Sequence, residues 1–166
     1  MERRDLEIEK VEVNSPLICI NVNLREFNQR SDFELSEVEL MTLSESREDY
    51  LENLLILETR SGGFVRQVDM ASRMGFSKAS ISKAMSSLSA EGYVEFRPRG
   101  LVRLSNGGRK IAERVYDRHC FFFKVLTNLG IPTEIAQRDA CRMEHAMSEE
   151  SYQALKKELS SKMDVQ

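Results

Sequence analysis

From residue 44 onward the apolar positions recur at helical spacing. Tyr50, Leu51, Leu54, Leu55 and Leu57 form a stripe that stops at Ser61-Gly62-Gly63, which predicts a first helix from Ser44 or Ser46 to about Arg60. A second, short helix is expected from about Gln67 to Met74, with Val68, Ala71 and Met74 on one face. After a turn at Gly75-Phe76-Ser77, a third begins at Ser77 or Lys78 and carries Ile81, Met85 and Leu88 inward. Two helices joined by so short a turn form a helix-turn-helix pattern. Past Glu91-Gly92 the period drops from 3.6 to about 2. Tyr93 to Phe96, the tight Arg97-Pro98-Arg99-Gly100 and Leu101 to Leu104 then read as a hairpin tipped with arginines. A long helix follows from the Ser105-Asn106 cap through Ile111, Val115, His119, Phe122 and Leu126 to Asn128, where Gly130 stops it. Pro132 opens another helix that carries Ile135, Ala136, Ala140, Cys141, Glu144 and His145, and a last helix runs from about Glu149 to Lys162.

Three helices and a hairpin in this order predict a mainly α protein. A winged helix-turn-helix DNA-binding domain occupies residues 44–110, and a helical domain occupies residues 111–166. Residues 1–43 differ: beyond a strand-like run at 17–24 they show no sustained pattern and read as a weakly ordered extension. Met41, followed by Thr-Leu-Ser-Glu-Ser, offers an alternative start.

Composition fits a folded helical protein, with 41% hydrophobic and 31% charged residues and only 3 prolines among 166 residues. No apolar run approaches the roughly 20 residues that span a bilayer, and the charged opening is unlike a secretory signal, so a cytoplasmic protein without a membrane partner is expected. Cys19, Cys120 and Cys141 are odd in number and contain no CxxC pair, which argues against a disulfide framework or a zinc ribbon.

Charge changes the picture once it is divided. The net charge of −3 conceals 12 basic and 5 acidic residues between Arg60 and Arg118, a local +7, against −10 elsewhere. A basic module in an acidic chain is the footprint of a nucleic-acid binder with a separate regulatory part. Within it Arg66, Ser77, Lys78, Ala79, Ser80, Ser82 and Lys83 are the candidates for groove and phosphate contacts, with Arg97 and Arg99 on the wing.

The acidic remainder holds a second chemistry. Asp49 and Glu52, three apart, share one face of the first helix. Cys141, Glu144 and His145 share a face of the penultimate helix, and His119 lies within the long one. Carboxylate, imidazole and a single thiolate suit Mn(II), Fe(II), Co(II) or Zn(II) rather than Ca(II) or Mg(II). Taken singly, a D-x-x-E pair on a helix is ordinary solvated surface; beside a DNA-binding module the combination points to a metal-responsive regulator.

The stretch from Glu48 to Tyr152 resembles the diphtheria toxin repressor and manganese transport regulator family of metal-dependent repressors. The resemblance is carried by Glu48-Asp49-Tyr50-Leu51-Glu52, by Arg118-His119 and by Asp139-Ala140-Cys141-Arg142-Met143-Glu144-His145-Ala146-Met147-Ser148. It implies a homodimeric repressor that binds a palindromic operator, is activated by Mn(II) or Fe(II), and uses Asp49, Glu52, His119, Cys141, Glu144 and His145 as ligands. Asp49 matches the manganese branch and Cys141 the diphtheria branch, so the ligand set is a hybrid. Phe123 and Gln137 stand where the diphtheria branch has ligands of an ancillary site, and that site is expected to be lost. Phe121, Phe122, Val125 and Ile135 are assigned to the dimer interface, the alternative being the subunit's own core. The competing function is a winged-helix regulator with a small organic effector near Phe121 to Phe123. No nucleophile and base form a motif, so an enzyme is not expected.

Overall fold

The structure, a computed structural model, describes residues 43–163. The expected extension over residues 1–43, its strand-like run and the start at Met41 therefore fall outside the described residues, except for Leu43 at its edge.

Helix α1 (Glu45–Ser61) has Glu45 and Glu48 in its first turn, where carboxylates complement the helix dipole. It ends at Gly62, whose φ of 78° lets its N–H reach Glu58 O. Strand β1 (Val65–Arg66) leads into α2 (Gln67–Met74), and Gly75, at φ 70°, closes that helix. The inward residues of α2 are Met70 and Ala71, not Val68, which is 41% exposed. Helix α3 (Lys78–Ala90) starts at Ser77, whose hydroxyl accepts the Ser80 N–H, and it buries Ile81, Met85 and Leu88 as its spacing predicts.

Strands β2 (Val94–Arg97) and β3 (Leu101–Leu104) form the wing, with Phe96 opposite Val102 and Val94 opposite Leu104. The two-residue β1 pairs with the other edge of β3, giving the order β1-β3-β2. At the wing tip Pro98–Gly100 make a tight turn in which Arg99 takes a left-handed φ of 66°.

Helix α4 (Asn106–Asn128) is capped by Ser105, which accepts the Gly108 N–H. The domain boundary expected after residue 110 lies inside this helix. Its N-terminal half, with Ile111 and Ala112, joins a core made by Leu51, Leu54, Met70, Ile81, Met85, Leu88 and Val102. Its C-terminal half joins a second core with α5 (Thr133–Ala146) and α6 (Glu149–Met163), centred on Phe121, Phe122, Ala140 and Tyr152.

That second core corrects the expected dimer interface. Phe122 is 0% exposed and Phe121 7%, and their rings lie 6.0 Å and 5.5 Å from that of Tyr152, so the last helix of the same subunit covers them. The same packing occupies the place expected for an organic effector. Ile135, in contrast, is 41% exposed and Val125 half-buried.

Candidate metal centre and DNA-facing surface

Three helices converge between the two cores. Helix α1 brings Asp49 and Glu52, α4 brings His119, and α5 brings Cys141, Glu144 and His145. Asp49, Cys141, Glu144 and His145 form one group of donor atoms within 4.8 Å of one another, and Glu52, His119 and Glu144 form a second. All six residues expected from the sequence are brought together, and Glu144 belongs to both groups.

Hydrogen bonds hold the donors in place. His119 Nδ1 lies 2.6 Å from Glu144 Oε2, and His145 Nε2 lies 3.0 Å from Asp49 Oδ1, with Glu144 Oε1 near the same nitrogen at 3.1 Å as an ion-pair contact. Arg118, buried against the Tyr152 ring, donates to the backbone carbonyls of Glu144 and Met147 at 3.0 and 2.8 Å and fixes the end of α5.

Several acids and only two imidazoles share this space. Burial, and then the Glu144 charge, push the Glu52 carboxyl up to about 7, with His119 opposing them. Burial alone would lower the His145 imidazole, but hydrogen bonds to Asp49, Cys141, Glu144 and Glu48 outweigh it and hold its pKa well above the usual range. The His145 hydrogen bond favours the Cys141 thiolate, yet burial and the Glu144, Asp49 and Glu52 charges prevail and push the thiol up. Glu52 Oε1 is buried with no hydrogen-bond partner among the described residues. A buried carboxylate oxygen in that position costs free energy unless a cation meets it. The donor set and this orphaned oxygen fit a divalent transition-metal ion.

The sequence reading passed over one member of the cluster. Glu48 is buried, accepts from Arg114 at 2.6 Å and lies 2.8 Å from His145 Nδ1. Its signal was available, because Glu48 is four residues before Glu52 and shares its face. Phe123, at the expected ancillary position, packs in the second core, and Gln137 is buried on α5.

On the side expected from the sequence to meet DNA, Ser77, Lys78, Ala79, Ser80, Ser82 and Lys83 are all exposed on α3 and its cap. Lys78, Lys83 and Arg99 make no ion pair among the described residues. Arg66 is held by Asp69 through two contacts of 2.9 Å, and Arg97 by Glu95 at 3.0 Å. An open hollow of about 350 Å³ between α1 and α3 is lined by Arg47, Tyr50, Ser80, Lys83, Ala84, Ser87 and Leu88. Among the described residues no helix is long and apolar enough to cross a membrane.

Two family models match successive parts of the chain. The iron dependent repressor N-terminal DNA binding domain matches residues 42–102, and the iron dependent repressor metal binding and dimerisation domain matches residues 105–162. The transcriptional regulator MntR of Escherichia coli O6:H1 is 39% identical over 109 residues, covering 66% of this chain and 70% of its own. The HTH-type transcriptional regulator MntR of Geobacillus kaustophilus is 34% identical over 104 residues, covering 62% and 72%. A solved manganese-dependent transcriptional repressor in complex with manganese superposes with a TM-score of 0.62 at 27% identity, over 69% of this chain and 52% of the other. The chain thus spans about half the length of that solved relative.

Proposed function

This chain belongs to the iron-dependent repressor family, and we propose that it represses transcription as a homodimer whose grip on a palindromic operator is set by Mn(II) or Fe(II) held between α1, α4 and α5. The observation that carries this reading is the convergence of Asp49 and Glu52, from the DNA-binding part, on His119, Cys141, Glu144 and His145 from the rest.

A divalent ion supplies at this joint the positive charge that lets the carboxylates and a thiolate meet. Asp49 and Glu52 tie α1 to the centre, His119 anchors it to α4, and Glu144 serves both donor groups. Without that charge, burial and the nearby Glu144 carboxylate disfavour an ionised Glu52, whose pKa they push up to about 7. The two recognition helices of a dimer would then lose the fixed separation of about 34 Å that two half-sites one turn apart require. Asp49 favours a harder ion and Cys141 a softer one, so selection of Mn(II) or Fe(II) over ions of higher intrinsic affinity would have to come from the geometry of the site. Exposed Ile135 and half-buried Val125, with Leu129 at 73% exposure, are the apolar surface left for the second subunit.

The test is binding to the gene's own upstream DNA across a panel of divalent ions. Mn(II) or Fe(II) should raise affinity about 5- to 150-fold, and a chelator should return it to the unstimulated level. Affinity indifferent to both would refute the proposal.

Arg99 gives a second check. A left-handed φ in a residue other than glycine costs of order 1 kcal/mol, strain retained where a side chain is needed at the wing tip. Arg99→Gly should therefore leave the melting temperature unchanged or raised, while operator binding weakens and the logarithmic salt slope falls by about one. An unaltered salt slope would remove Arg99 from the DNA contacts.

A further inference from the structure

An imidazole can offer a metal either of its nitrogens, and the partner of the other nitrogen decides which. We propose that Glu48 is the positioning residue for His145: it accepts the Nδ1–H and so commits Nε2 to the metal centre. The inference rests on the metal reading of that centre.

An acidic residue in the first turn of a helix usually interacts with the helix dipole and with water. Glu48 instead is only 9% exposed, and both its oxygens are engaged. Oε2 lies 2.8 Å from His145 Nδ1, and Oε1 takes the Arg114 guanidinium at 2.6 Å. Arg114 on α4 thus holds Glu48 on α1, and Glu48 holds His145 on α5. The next residue along α1, Asp49, meets the opposite nitrogen of the same ring at 3.0 Å. Two consecutive residues of α1 therefore grip the two edges of one imidazole.

With both oxygens occupied, Glu48 is no ligand itself and belongs to neither donor group. Its action is indirect. Held by Glu48, the ring cannot turn Nδ1 toward Asp49, Cys141 and Glu144, and its orientation is fixed before any ion arrives. Arg114 neutralises the added carboxylate, so this positioning adds no net charge to the crowded acids.

The first measurement needs no variant. In protein loaded with diamagnetic Zn(II), ¹⁵N imidazole spectra should show His145 metal-bound at Nε2 and protonated at Nδ1; the reverse assignment overturns the proposal. Calorimetry with Mn(II), in the absence of DNA, should then show affinity lowered about 10- to 100-fold in Glu48→Ala at unchanged stoichiometry. Glu48→Gln keeps a carbonyl acceptor and should recover most of that loss. If Glu48→Ala only lowers the melting temperature of metal-free protein, with Mn(II) affinity and the ¹⁵N pattern unchanged, Glu48 is structural and the proposal fails. Wild-type protein that binds neither ion overturns the metal reading as well, whereas wild-type binding with an indifferent Glu48→Ala overturns the positioning role alone.

Discussion

Glu144→Ala is expected to abolish metal-stimulated operator binding altogether, leaving only weak, salt-sensitive association with any DNA. Glu144 is 1% exposed and is the one residue common to both donor groups. Its loss removes one oxygen set from Asp49, Cys141 and His145 and another from Glu52 and His119. The coupling at stake is about 1–3 kcal/mol, so the 5- to 150-fold stimulation should fall to none. Collapse of the fold is not the expected cause. Arg118 holds the end of α5 through the backbone carbonyl of residue 144, which alanine retains, and removing the carboxylate relieves the repulsion that adds to burial in raising Glu52. Gel-shift titrations with and without Mn(II), beside a thermal melt of the metal-free variant, separate the two explanations. Stimulation equal to wild type would show that Glu144 is not a ligand.

The largest loss of stability is expected from Gly108→Ala. Helix propensity argues the other way, since alanine in place of a helical glycine usually gains about 0.5–1 kcal/mol. Here, however, a Cβ would stand 2.0 Å from the backbone carbonyl oxygen of Tyr93. Neither atom can swing aside, because that carbonyl also accepts the Ser105 N–H at 2.9 Å where the chain enters α4. Helix and hairpin must separate, which disturbs the core around Val94 and Ile111. Forcing atoms into a packed contact costs typically about 1–3 kcal/mol, or roughly 2–12 °C in melting temperature for a chain of this size. A melting temperature at or above wild type would mean that α4 does not dock this closely in solution.

The winged helix was legible because its signals agree: helical stripes, two glycine stops, a change of period and a positive segment. What escaped did so for physical reasons. Strand β1 has two residues, too few to display any period. Helix α2 is only two turns long, so the stripe chosen from Val68, Ala71 and Met74 was underdetermined, and Met70 took the inward position. Phe121 and Phe122 show that an apolar face records that something covers it and not which chain does; here Tyr152 of the same chain does. The six candidate ligands could be named because the family resemblance points to those positions and helical spacing puts Asp49 with Glu52, and Cys141 with Glu144 and His145, on shared faces; the structure brings their donor atoms together. Glu48 obeyed the same rule, but its role depends on Arg114 and His145, 66 and 97 residues away, and no local pattern carries that information.

Helix α4 is continuous for 23 residues, with the wing docked at Gly108, His119 near its middle and the second core at its far half. At 1.5 Å per residue it is a rod of about 34 Å. A tilt of roughly 5° pivoting on one end of such a rod carries the other end about 3 Å, close to the 3.4 Å rise of one base pair along a DNA strand. His119 lies about 13 Å from the far end of that rod, so a shift of about 1 Å in how the side chains around it close would swing the end beside the wing by about 3 Å, which would make α4 a lever as much as a connector.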